Sequence, residues 1–254
     1  MKHLHDSYLR SLERMCKKFN PEDFYLWPRT PISDEIQLKI RERVGVSDYE
    51  VNNPHSRPYR IIFLIRKLQK YSLISGSFSV LDIACGDAII LWHIKNAFPE
   101  SECYGVDSNK GKFPTHKMVQ EAGVRLYNVF IQHLFRSKPP AMFDIVLMLN
   151  TYRGWESAGL REHEKELPLL ADEWFKENSR YTIVTATDDQ IRKLASLGFN
   201  IEFMGKGEDN SKMVCFSFED INPGQLKFLR STAMRLILPK IQYLYRILSK
   251  IIHK

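Results

Sequence analysis

Phe78-Ser79-Val80-Leu81-Asp82-Ile83-Ala84-Cys85-Gly86-Asp87-Ala88 is a mostly apolar run that breaks into small residues and then passes, from Ala88 to Ala97, into a helical pattern. The spacing predicts a strand, a tight turn and a helix. Small residues in such a turn let backbone N–H groups approach a ligand closely, beside the positive end of the helix that follows. Further on, Tyr104-Gly105-Val106-Asp107 ends a second strand with a carboxylate. In a doubly wound sheet that carboxylate stands at the C-terminal edge next to the first turn, where it can accept hydrogen bonds from the ribose hydroxyls of an adenosine ligand.

Outward from this stretch, strand patterns recur at Phe78 to Ile83, Cys103 to Val106, Val124 to Val129, Phe143 to Leu149 and Tyr181 to Ala186. Helical patterns alternate with them at Ala88 to Ala97, Pro114 to Ala122, Leu167 to Asn178 and Asp189 to Leu197. That alternation is what a parallel α/β sheet requires. After Gly198, two further strand patterns, Asn200 to Met204 and Lys212 to Phe218, flank Gly205-Lys206-Gly207-Glu208-Asp209-Asn210 and predict an antiparallel hairpin. Upstream, a helix at Ser7 to Lys18 is followed by a proline-rich connector from Pro21 to Pro31. A second helix is opened by Ser33-Asp34-Glu35 and ends near Gly45, and a third runs from about Arg57 to Tyr71. The expected architecture is α/β: a doubly wound, seven-stranded, mostly parallel sheet with a C-terminal antiparallel hairpin, a helical N-terminal extension and a basic amphipathic C-terminal helix. The expected sections are residues 1–76, a helical section that can form a lid, residues 77–220, the ligand-binding domain, and residues 225–254, the tail.

The succession of strand, VLDIACGDA, helix, strand and GVD resembles motif I and the acidic motif II of the class I S-adenosylmethionine-dependent methyltransferases. The likeness covers roughly Phe78 to Phe218, including the closing hairpin. It implies that Asp82, Ala84, Cys85 and Gly86 surround the methionine end of S-adenosylmethionine, that Asp107 holds its ribose, and that Ser108 and Asn109 lie by the adenine. The family usually has glycine where this chain has Ala84, and often where it has Ala88. Alanine is small enough for the turn but excludes some positive-φ geometries. A nicotinamide-dinucleotide site would need G-x-G-x-x-G, and of those glycines only Gly86 is present.

By the same resemblance, the loop after the fourth strand, Asn150-Thr151-Tyr152-Arg153-Gly154-Trp155-Glu156, faces the reactive methyl group. Asn150 and Tyr152 are its candidates for positioning the acceptor, with Arg153 and Glu156 nearby. Methyl transfer is an in-line displacement on an activated sulfonium, so a dedicated base is optional. His163 and His55 are the candidates if one exists, because histidine titrates in the useful range. The cluster of Glu162, His163, Glu164 and Glu166 reads as a solvated helical turn rather than a metal site, and no metal is expected. Tyr25, Trp27, Tyr59 and Arg60 are candidates for lining the acceptor side.

The bulk composition limits the possible classes. With 254 residues, 44% hydrophobic and 26% charged, the chain has room for one sizeable globular domain and an appendage. Cys16, Cys85, Cys103 and Cys215 are scattered, which argues against a structural zinc or a disulfide framework and for reduced thiols in a cytoplasm. No apolar stretch reads as a signal peptide or a membrane span. The net charge of +7 resides in the tail: Gln225 to Lys254 carries seven Lys or Arg and no Asp or Glu, so the remaining 30 cations balance the 30 acids. A neutral body disfavours nucleic acid as acceptor, since phosphate recognition needs clustered cations. The expected acceptor is a small molecule, a lipid-linked compound or a glycan. The alternatives are a catalytically silent methyltransferase-like scaffold subunit and a nucleic-acid methyltransferase that recruits its substrate through the tail. The tail places Leu226, Leu229, Ala233, Leu236, Ile237, Ile241 and Leu244 at helical spacing among its cations. Such a helix can lie on an anionic membrane surface at the inner face of the membrane, bind a partner protein, or pack on its own domain.

Overall fold

A strand buried on both faces needs a mainly apolar centre, and five strands of this chain run in parallel with buried centres. The computed structural model describes residues 4–18, 57–108, 115–149, 165–206 and 212–218. Strands β1 (Ser79–Ile83), β2 (Glu102–Asp107), β3 (Arg125–Asn128), β4 (Phe143–Met148) and β5 (Ser179–Ala186) are joined by β6 (Asn200–Lys206) and β7 (Lys212–Ser217). They form one seven-stranded sheet in the order β3-β2-β1-β4-β5-β7-β6. The pairings from β3 through β5 are parallel, with Leu81 beside Tyr104 and Val146, and β7 lies antiparallel to both β5 and β6. The predicted hairpin is therefore present, and it enters the sheet by its second strand.

Seven helices among the described residues flank the sheet: α1 (Leu4–Cys16), α2 (Arg57–Lys70), α3 (Ile89–Ala97), α4 (Thr115–Glu121), α5 (Ile131–Phe135), α6 (Leu167–Asn178) and α7 (Asp188–Ser196). On one face Leu81, Ile83, Tyr104, Val106, Val146 and Met148 form a core with Leu9 and Leu12 of α1, Leu134 of α5, Trp174 and Phe175 of α6 and Leu194 of α7. On the other face Val80, Cys103, Leu126, Ile145, Leu147 and Ile183 meet Ile61 and Ile65 of α2, Leu91 and Ile94 of α3 and Val119 of α4. The alternation of strand side chains between the two clusters is the period of two that a pleated strand imposes. Strand order reverses between β1 and β4, and a ligand crevice is expected outside the strand ends at such a switch point.

Most elements lie within a residue or two of their predicted bounds, and local chemistry sets their ends. Thr187 and Gln190 form a capping box on α7, each side chain taking the other residue's backbone N–H. Gly198, at φ +85°, closes the same helix, with Gly198 N–H donating to Ala195 O and Phe199 N–H to Leu194 O. Helix α5 was not anticipated, because five residues are too few to show a 3.6-residue period. At the N-terminal edge of the sheet, the Ser79 N–H and Oγ–H both donate to Asp144 Oδ2, at 2.8 and 3.0 Å. Arg180 also approaches Asp144, so β1, β4 and β5 are tied together at the end opposite the turn. The predicted connector of Pro21 to Pro31, the helix from Ser33 to Gly45 and the tail from Gln225 to Lys254 lie outside the described residues.

Candidate functional site

Strand β1 ends at Ile83, and the next five residues reverse the chain into α3 within one turn. The turn uses the left-handed region three times, at Ala84 (φ +57°), Gly86 (φ +56°) and Ala88 (φ +58°). Only one of the three is glycine. The two alanines take the conformation that alanine resists, at a cost of roughly 1–2 kcal/mol each. Strain of this kind collects at functional turns and persists where neighbouring contacts enforce it. Within the turn, Ala88 N–H donates to Cys85 O, Cys85 N–H donates to Val106 O, and Asp87 Oδ1 accepts from Ile89 N–H at the start of α3.

Asp107, the last residue of β2, accepts a hydrogen bond from Gly86 N–H through Oδ2 at 2.9 Å. The second strand's terminal carboxylate thus meets the first strand's turn at the C-terminal edge of the sheet. Asp82 is 3% exposed at the end of β1, one step before the turn. Gly105 makes the close approach possible: a Cβ there would stand 2.7 Å from Leu126 Cδ2 and 2.8 Å from Cys85 Sγ. A Cβ built on Gly86 would meet nothing within 4 Å among the described residues, so the turn presents to them an open side at its central residue. Burial first, then the charges of Asp82, Asp107 and Asp87, push the Cys85 thiol well above its usual range. This shift favours the neutral thiol in the turn.

The structure brings Asp82, Ala84, Cys85, Gly86, Asp107 and Ser108 together at one edge. Asn109 lies outside the described residues, as do Asn150, Tyr152, His163, His55, Tyr25 and Trp27. Arg60 is half-buried on α2. Strand β4 runs parallel to β1, with Leu147 beside Asp82, so the chain leaves toward Asn150 from the same edge as the turn. Of the glutamates near His163, Glu166 is described, and it pairs with Arg136.

Sequence reasoning missed two contacts to the turn. His116 Nε2 lies 2.7 Å from Gly86 O, and Thr115 Oγ1 donates to Asp87 O at 2.9 Å. Both residues open α4, whose partner in the fold cannot be known from its spacing alone.

No family model matches the chain, and no curated protein matches it in sequence. Its fold is nonetheless shared with solved structures. The bifunctional kinase-methyltransferase WbdD, in a co-crystal with the kinase inhibitor LY294002, superposes with a TM-score of 0.51 at 13% identity over 70% of this chain. The match spans 44% of the WbdD chain, less than half its length. Magnesium protoporphyrin IX methyltransferase (ChlM) from Synechocystis PCC 6803, solved with bound S-adenosylhomocysteine (SAH), superposes with a TM-score of 0.50 at 12% identity, over 74% of this chain and 97% of that one. The fold is that of the class I S-adenosylmethionine-dependent methyltransferases.

Proposed function

We propose that this chain binds S-adenosylmethionine at the turn between β1 and α3 and transfers its methyl group to a small-molecule, lipid-linked or glycan acceptor. The observation that carries this reading is the meeting of Asp107 with Gly86 N–H at 2.9 Å on the C-terminal edge of the sheet. The residues present suit the cofactor. The open side of Gly86 leaves room for a ligand against the backbone, and a carboxylate has about four acceptor positions. Asp107 can therefore keep its Gly86 contact and accept from ribose hydroxyls as well.

When bound, S-adenosylmethionine supplies a methyl group already activated by its sulfonium, so the protein's work is positioning. In this reading the turn cradles the methionine end, and Asp107 orients the ribose. Ser108 and Asn109, next in the sequence, would lie by the adenine. Asn150 and Tyr152, which follow β4 in the sequence, would position the acceptor against the methyl group, with His163 as the base if the acceptor must lose a proton. Clustered cations for a phosphate backbone belong to the tail and not to the body, which favours a non-nucleic-acid acceptor.

Calorimetric titration with S-adenosylmethionine and SAH tests the reading. Asp107→Ala should weaken binding by about 1.5–3 kcal/mol, the scale of hydrogen bonds to a charged group. Absence of binding by the wild type, or an unchanged affinity in the variant, contradicts it.

A further inference from the structure

The backbone of Gly86 is held on both sides, through the two peptide units that flank its Cα. Its N–H donates to Asp107 on β2, and its carbonyl faces His116 Nε2 on α4. The following carbonyl, of Asp87, accepts from Thr115 Oγ1. Asp107 belongs to the ligand-binding edge, whereas Thr115 and His116 approach the turn from α4. Both are buried, His116 to 4% exposure. A carbonyl can only accept, so His116 must carry a proton on Nε2, as either the neutral tautomer or the imidazolium does.

The contact bears on the turn's most demanding feature. Two of its three left-handed residues are alanines, and the flanking contacts must hold them there. Hydrogen bonds from α4 fix the direction of two successive carbonyls, and through them the peptide planes on either side of Asp87. We propose that His116 and Thr115 are positioning residues that hold the cofactor turn in its binding conformation before the cofactor arrives, replacing the freedom that additional glycines would give. The assignment rests on the cofactor reading above. It also explains how a turn with alanine at Ala88 can remain a binding turn.

SAH titration of the full-length protein decides it, with thermal unfolding measured alongside in the absence of ligand. His116→Ala should lose roughly three- to tenfold in affinity, the loss of one buried hydrogen bond. His116→Gln, whose amide can donate from a similar reach, should recover most of that loss. Thr115→Val removes the hydroxyl at nearly constant volume and should shift affinity in the same direction, which keeps the test decisive if His116→Ala fails to fold. Val119→Ala is the control: it loosens α4 from the core without removing a hydrogen bond to the turn, so it should lower the melting temperature and leave the affinity unchanged. Wild-type affinity in both His116→Ala and Thr115→Val overturns the assignment, as does an equal affinity loss in Val119→Ala at an equal loss of stability. If the wild type takes up no SAH, the cofactor reading itself fails and this assignment falls with it.

Discussion

Gly105 is where one missing methyl group decides whether the edge can assemble. It lies in β2 beneath the turn, in register with Asp82, and a Cβ would press at once on Leu126, Cys85 and Leu91. All three atoms are side-chain termini, so the clash can relax, but only by moving the Cys85 side chain of the turn and two core leucines. Gly105→Ala should therefore cost about 1–3 kcal/mol in urea unfolding, as overpacked cores do. It should also weaken S-adenosylmethionine binding, because Cys85 is displaced. Wild-type stability in this variant would mean that the turn yields easily. Residue identity singled out Asp107, a carboxylate at the end of an apolar strand, whereas Asp82 and Gly86 entered as what the family resemblance implies. The positive φ at Ala84 and Ala88 was hidden, because alanine gives no local signal for a conformation imposed by contacts from β2 and α4.

Among the elements, α1 shows most clearly how packing exceeds pattern. Its periodicity predicts a helix but not its seat. In the structure Leu9 is 0% exposed in the core that holds Tyr104, Phe143 and Trp174. Tyr8 hydroxyl meets Ser137 Oγ at 2.6 Å, and Asn128 N–H donates to Glu13 at 2.9 Å, which seats the helix beside β3. Leu9→Ala should cost about 2–5 kcal/mol in chemical denaturation, the range for truncating a buried leucine. A movable cover would lose far less. The same helix has an acid-sensitive contact: His5 stacks on Phe143 at 4.0 Å, and burial lowers its pKa below 6.5 despite the opposing charges of Glu102 and Asp144. His133 shifts in the same direction through burial and Arg136. Because the unfolded histidines keep the higher pKa, the unfolded chain takes up protons first as pH falls. The stabilising contribution is then complete above about pH 6.5 and is lost as pH falls toward the lower folded values. Stability measured between about pH 7 and 5 should decline, and His5→Phe should flatten that decline. An unchanged slope would remove His5 as a cause.

At the scale of the whole molecule, charge is divided as sharply as structure. The body carries equal numbers of acids and bases, and the seven cations from Lys227 to Lys254 stand without an acid among them. Among the described residues no helix is long and apolar enough to cross a membrane. We propose that residues 225–254 attach the protein to an anionic membrane surface, each cation contributing about 1 kcal/mol near such a surface before screening. Full-length protein should co-sediment with anionic vesicles in low salt and release in high salt, whereas a chain ending at Pro223 should stay in solution and still bind cofactor. Indifference to vesicles at low salt would favour a protein partner, and unfolding on truncation would show the apolar stripe packed on the domain.

What the sequence determined by itself is the part encoded in short range. Parallel strands buried on both faces need mainly apolar centres, a ligand turn needs small residues, and a helix needs its stripe, so the order of elements and the position of Asp107 were legible residue by residue. Tertiary structure decided what depends on distant segments meeting. It placed β7 between β5 and β6, seated α1 in the core, brought His116 and Thr115 onto the carbonyls of the turn, and held two alanines in a conformation they do not choose alone. Each of these is set by contacts between residues far apart in the chain, and the pattern around any one of them carries no record of its partner.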